Sequence, residues 1–453
     1  MRTFSVGIIM VVCVAFGIAS VGCSKKDSAR EAGARRSAHS TDGDASPHWK
    51  NADKKAADEK KGDLGTRDSS KMTAAVADAA SGVERPKQSR EKDPGLPSGI
   101  LTAGSFDDNL DPRVFLSFID MRGQDRYLGD APGKVRGQRL MVIVKDQSGK
   151  PVSNARVKLA SKDASAELMT RSDGRAIFVL PWDRLPADKA LTATVLPPCG
   201  GMPATDTIPP GKERWEIALP GVQTPLPRGL DLAIMLDTTG SMGDELRHLQ
   251  AEIRGIATAV RKKFPEVNQR YALVLYRDEG DDYVVRRFDF TSSLEEFHGR
   301  LAKQSAGGGG DYPEAVHRAF EEAQQLRWQE SDTARVLFWV ADAPPHSQHV
   351  ARAMAAADNL RKNGVVIYPI ACSGYDDSTE FLMRSCALLT GGQFLFLTDD
   401  SGVGNSHAEP KIPYYQVERL ERLIVRMIAG ELSGRRIDAD PADIIRTVGK
   451  KVN

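Results

Sequence analysis

Beyond Pro225 the sequence alternates short, almost purely apolar runs with longer amphipathic ones, and this constrains the fold more than any other feature. Asp231–Leu236, Tyr271–Tyr276, Tyr283–Phe290, Val336–Val340, Val365–Ala371 and Gln393–Leu397 have the length and branched-residue content of strands. Between and after them Asp244–Phe264, Pro313–Gln325, Val350–Asn363, Thr379–Leu389 and Val417–Gly430 carry helical spacing. Strands that are apolar throughout must be covered on both faces. The pattern therefore predicts an α/β, doubly wound, mostly parallel sheet over 228–434, with a tail at 435–453.

Upstream the pattern differs. From 100 to 225 short strand candidates (Leu140–Val144, Ala155–Leu159, Ala176–Leu180, Leu191–Val195, Trp215–Leu219) are separated by turn clusters such as Asp146–Pro151 and Arg171–Arg175. This predicts a small antiparallel β-sandwich. Gly149–Val157 with Thr170–Phe178 resembles the carboxypeptidase regulatory-like Ig fold, which implies an accessory module without chemistry of its own. Residues 24–99 are Lys, Asp, Ala, Ser and Arg with almost no branched apolar side chains, a composition expected to stay disordered as a tether. Its reach would be roughly 45–50 Å for a flexible chain of that length.

The first residues carry a targeting pattern. Arg2 precedes an uncharged apolar run, Phe4–Val21, which ends in Ser20-Val21-Gly22-Cys23. A charged start, a short apolar core and small residues before a cut are the parts of a secretory signal, here 1–23. Cys23 after the small residues resembles the bacterial lipobox. The resemblance implies acylation of Cys23, membrane attachment through lipid, and a place in the cell envelope, at the outer membrane if the cell has two. An uncleaved signal anchor is the alternative.

Charge and motifs exclude several functions. Lys and Arg number 62 against 61 Asp and Glu, so the electrostatic footprint of a nucleic-acid binder is missing. The run Gly307–Gly310 lacks the Gly-Lys-Ser/Thr of a P-loop, which removes nucleotide. Ser241 lacks the first glycine of a nucleophile elbow, and no catalytic set is evident, so the chain is expected not to be an enzyme. Cys372 and Cys386 flank one strand-to-helix connection, leaving a disulfide and two buried thiols as open alternatives.

In sheets of this class ligands bind at the carboxyl ends of the strands. There Asp231–Leu236 runs into Asp237-Thr238-Thr239-Gly240-Ser241, and Val336–Val340 runs into Ala341-Asp342. Asp237, Thr239 and Ser241 alternate, so an extended turn points a carboxylate and two hydroxyls to one side. Asp342 adds a second carboxylate. Oxygen donors without sulfur or imidazole suit Mg²⁺ first, with Mn²⁺ or Ca²⁺ as alternatives. Capping of the following helices is the plain alternative for Asp237 and for Asp311.

The order Asp237-x-Thr239-x-Ser241 followed by Asp342 resembles the von Willebrand factor type A family over about 230–430, with its metal-ion-dependent adhesion site. The resemblance implies a domain that binds a protein or envelope partner through a divalent metal. The family's intermediate loop supplies a threonine. Here it reads Gly309-Gly310-Asp311-Tyr312-Pro313-Glu314, which makes Asp311 the candidate in that role. A metal-assisted hydrolase, with Asp311 or His346 as base, and a scaffold with a degenerate site are the other readings. Arg277–Asp282 is an acidic loop read as a solvated hairpin, with a second, calcium-like site as the alternative.

Overall fold

The computed structural model describes residues 101–122, 126–198, 200–222, 226–401 and 406–450. The signal segment, Cys23, the tether and Cys199 lie outside them. The described part begins with β1 (Thr102–Phe106), α1 (Pro112–Arg122) and α2 (Ala131–Val135). Then come β2 (Arg139–Asp146), β3 (Arg156–Ala160), β4 (Ser165–Met169), β5 (Arg175–Val179), β6 (Leu191–Leu196), β7 (Ala204–Ile208) and β8 (Arg214–Leu219). The remainder is β9 (Gly229–Asp237), α3 (Gly243–Lys263), β10 (Asn268–Tyr276), β11 (Val285–Thr291), α4 (Leu294–Ala302), α5 (Val316–Gln324), β12 (Thr333–Ala341), α6 (Val350–Lys362), β13 (Val365–Ala371), α7 (Asp377–Thr390), β14 (Phe394–Thr398), β15 (Tyr414–Arg419), α8 (Leu420–Ser433) and β16 (Arg446–Gly449).

The large sheet has nine strands in the order β11-β10-β9-β12-β13-β14-β1-β15-β16. From β10 to β14 the pairing is parallel, and β11, β1 and β16 each pair antiparallel with their neighbours. Every residue of β9, Gly-Leu-Asp-Leu-Ala-Ile-Met-Leu-Asp, is buried, as a central strand covered on both faces requires. Side chains alternate across the sheet into two separate cores. One packs Met235, Leu337, Trp339 and Ile367 under α1, α5, α6 and α7; the other packs Ile234, Leu236, Phe338 and Tyr368 under α3 and α8. On α3 the buried Leu246, Leu249, Ile253, Ile256 and Val260 recur at helical spacing, which fixes the face turned to the sheet.

The sandwich is made of a three-stranded sheet, β5-β2-β8, facing a four-stranded one, β4-β3-β6-β7. Its pairs are antiparallel except for β2 with β8. Residues 101–135 do not belong to it. β1 sits in the large sheet between β14 and β15, and Phe115 and Phe118 of α1 are buried in the α/β core. The sandwich is thus an insertion into the α/β domain, and the boundary at 100 is corrected accordingly. At the other end, Val417 and Glu418 lie in β15 rather than in a helix, and Arg446–Gly449, placed in the tail, pairs with β15.

Cys372 and Cys386 are both free and buried. Cys372 packs in the core beneath α3 and α8, whereas Cys386 packs on the opposite face with α6 and α7. The sheet lies between them, so the disulfide alternative falls.

Candidate functional site

Three connections meet at the carboxyl end of the sheet. Leu236 of β9 pairs with Val340 of β12, so Asp237 and Asp342 leave neighbouring parallel strands one and two residues later. Strands so paired lie about 4.8 Å apart, which places the carboxylates side by side. Asp237 is completely buried, and its Oδ1 accepts from the Thr239 amide at 2.9 Å and the Thr239 hydroxyl at 2.7 Å. Thr239 Oγ1 stands 3.4 Å from Ser241 Oγ, and Ser241 hydrogen-bonds the Asp342 carboxylate. The structure therefore brings Asp237, Thr239, Ser241 and Asp342 together.

The glycine-rich loop is stitched against this turn. Gly307 donates to Thr238 O at 3.1 Å, and Gly240 donates to Gly308 O at 3.2 Å. Gly308 has φ +77°, and a Cβ there would lie 2.3 Å from Asp281 Oδ1, so only glycine fits. Tyr312 reaches across to donate to Asp342 O at 3.0 Å and accepts from the Asp376 amide at 2.7 Å. The nearby Arg277 guanidinium donates to Thr238 O at 3.1 Å and Ser305 O at 2.9 Å and pairs with Asp282 at 3.6 Å.

Two carboxyls not anticipated from sequence complete the site. Glu245, in the first turn of α3, and Glu314, before α5, are both buried and act electrostatically on Asp237, Asp342 or both. Among the described residues Asp237 Oδ2, Glu245 Oε2 and Glu314 Oε2 are buried without a hydrogen-bond partner. Burial first, and then Asp342, push the Asp237 carboxyl up to about 7. Burial, then Asp237 and Asp278, push Glu314 up to about 9. Asp342 is raised as well, chiefly by burial. Buried carboxylates crowded together without a cation are costly, and the partnerless oxygens fit a hard divalent ion. Glu245 carried a signal in the sequence: it lies on the buried face of its helix, four residues before Leu249.

Asp311 precedes Tyr312 in the glycine-rich loop. It is exposed and groups with Asp278 and His346, with one ligand atom of each lying within 4.8 Å of the others. His346 Nε2 lies 2.8 Å from Asp278 Oδ1. Asp311, the candidate for the threonine position, thus has Asp278 and His346 as its acidic and imidazole neighbours. Earlier in the loop Gly308 and Gly309 are both left-handed, and the Gly309 amide donates to Asp281 Oδ1 at 3.2 Å.

A chain of polar groups also runs from Glu245 to the surface. Ser373 donates to Glu245 Oε1 at 2.9 Å and lies 3.1 Å from His407 Nε2, while His407 Nδ1 lies 2.8 Å from Asp399 Oδ1. Ser373 is buried and its hydroxyl is aimed at a carboxylate, so this chain positions Glu245.

This fold and this crevice define the class of domain. Residues 231–398 match the family model of the von Willebrand factor A domain, and this part of the chain is such a domain. Two curated proteins are similar to it. An ariadne-like RING finger protein of Acanthamoeba polyphaga mimivirus is 28% identical over 186 residues, 37% of this chain and 18% of that protein. The alpha-protein kinase vwkA of Dictyostelium discoideum is 30% identical over 120 residues, 26% of this chain and 19% of the kinase. The chain thus spans less than a fifth of either relative. Among solved structures, proximal thread matrix protein 1 of the mussel byssus aligns at 18% identity and TM-score 0.27, covering 36% of this chain and 40% of that one. BatB of Bacteroides thetaiotaomicron aligns at 14% identity and TM-score 0.26, covering 47% and 93%.

Proposed function

We propose that this chain is a binding protein of the cell envelope, lipid-anchored through Cys23, which recognises a protein or envelope partner through a divalent cation, Mg²⁺ best. Asp237, Thr239, Ser241 and Asp342 would hold the ion, which supplies a Lewis-acidic point for a ligand oxygen. One observation carries the reading: Asp237 and Asp342 are buried side by side, Asp237 Oδ2 has no partner, and the adjacent Arg277 is engaged by carbonyl oxygens and by Asp282.

The remaining residues prepare this face. Thr239 orients Asp237 through two hydrogen bonds, Ser241 steadies Asp342, and Tyr312 ties the glycine-rich loop to Asp342 O. Glu314, its carboxyl raised to about 9 by burial and the neighbouring aspartates, borders Asp237 and Asp342 together with Glu245.

The test uses the full chain. Mg²⁺ added to chelated protein is expected to raise the melting temperature, and Asp237→Ala is expected to abolish the rise. Partner capture from envelope extracts should be lost in chelator. Equal melting with and without the cation in the wild type would defeat the metal reading. Membrane fractionation of Cys23→Ala checks the anchor separately.

A further inference from the structure

The grouping of Asp278, Asp311 and His346 lies outside the four-residue site and differs from it in chemistry. We propose that these three side chains form a second cation site, one that takes a borderline first-row transition ion such as Co²⁺ or Zn²⁺ instead of Mg²⁺.

Geometry comes first. The donors arise from three connections: Asp278 follows β10, Asp311 precedes α5, and His346 follows β12. Their ligand atoms lie within 4.8 Å of one another, and His346 Nε2 stands 2.8 Å from Asp278 Oδ1. Neighbouring ligands on one ion at ordinary bond lengths of ~2.0–2.2 Å are separated by about 3 Å, so binding needs only a small spreading of this pair.

The supports are fixed. The Asp278 amide donates to Asp281 Oδ2 at 3.1 Å, and Asp281 in turn accepts from Gly309 at 3.1 Å, which joins the Asp278 turn to the Asp311 loop. The Glu314 amide donates to Pro344 O at 2.9 Å and fastens the same loop to the strand end that carries His346. His349 stands with its ring centroid 6.5 Å from that of His346 and stacks on His317 at 4.0 Å, so two further imidazoles border the group. Burial, then His349, lower His317 to about 4, which keeps it uncharged at neutral pH and adds no repulsion toward a cation.

Chemistry sets the ion. Imidazole nitrogen favours Zn²⁺, Ni²⁺, Co²⁺ and Cu²⁺, whereas Mg²⁺ prefers an all-oxygen shell and keeps its water. The all-oxygen donors of Asp237, Thr239, Ser241 and Asp342 have the opposite preference. One crevice then separates two classes of ion by donor type, with Asp311 serving the histidine-containing site.

The experiment titrates Co²⁺ into the full chain in excess Mg²⁺, reading visible ligand-field absorption and calorimetry. One equivalent of Co²⁺ with a ligand-field band is expected in the wild type. His346→Gln should weaken it by at least about 100-fold, beyond the 10–100-fold that loss of an outer-shell partner costs. Asp311→Asn, at an exposed position, keeps the test informative if the histidine variant misfolds, and should also weaken Co²⁺. Asp237→Ala should lose the Mg²⁺-dependent melting shift and keep the Co²⁺ band, which separates this site from the proposed function. No Co²⁺ band in the wild type, or a band unchanged in both His346→Gln and Asp311→Asn, would reduce the cluster to a His–Asp ion pair. Loss of the band in Asp237→Ala would merge the two sites and overturn the proposal.

Discussion

The two ends of β9 carry an aspartate each, both buried completely, and the chain treats them in opposite ways. At the amino end Asp231 accepts from Arg270 Nε at 2.8 Å and Nη2 at 2.7 Å, and from the Gln329 amide at 2.7 Å. At the carboxyl end Asp237 accepts only from Thr239, keeps Oδ2 without a partner, and faces Asp342. A buried carboxylate with its own arginine is part of the scaffold. One left among other carboxylates stores unfavourable energy that an external cation can release. Elsewhere the chain follows the first pattern: Arg384 holds Asp108 at 2.6 Å and Glu380 at 3.0 Å, and Arg361 holds Asp183 at 2.8 Å and Asp358 at 2.7 Å. The crevice is the exception.

The comparison breaks most visibly at Arg270. Removing it strands Asp231, and Arg270→Ala should lose about 3–5 kcal/mol in chemical denaturation, with or without divalent ions. Asp237→Asn should do the reverse in chelator. At pH 8 it removes a charge held about three pKa units above its ordinary value, so stability should rise, by up to about 4 kcal/mol, while the Mg²⁺ effect disappears.

pH sharpens the contrast further. A carboxyl whose folded pKa lies above its unfolded one takes up a proton on folding, so its stabilising effect is complete below the unfolded value of 3.8 and is lost as pH rises through about 7. Chelated protein should therefore lose about 2–3 kcal/mol between pH 5 and 8 from Asp237 alone. Saturating Mg²⁺ should flatten that slope, and denaturant midpoints across this range decide it. The smallest effect belongs to Asp311. Because it is exposed and outside the four-residue site, Asp311→Asn should move stability by no more than about 0.5 kcal/mol and leave the Mg²⁺ midpoint unchanged.

Local patterns carried much of this. The alternation of apolar and amphipathic runs sets the parallel core, and Asp237-x-Thr239-x-Ser241 at a strand end, with Asp342 at another, marks the crevice within the sequence itself. What escaped was non-local. β1 joins partners almost three hundred residues away, pairing Thr102 with Thr398, and no periodicity within residues 102–106 announces that. Val417 reads as helical by spacing because β15 runs directly into α8. Glu314 looks like an ordinary first-turn acid until burial is known. The closeness of Asp311 to Asp278 and His346 joins three separate connections, which no local pattern announces.

The placement of β1 has a mechanical consequence. Everything upstream of residue 101 reaches the folded body through a strand clamped on both sides, by β14 and by β15. Withdrawing β1 would break two ladders of backbone hydrogen bonds instead of one, and its first residue stands beside the carboxyl end of β14, at the same end of the sheet as the crevice.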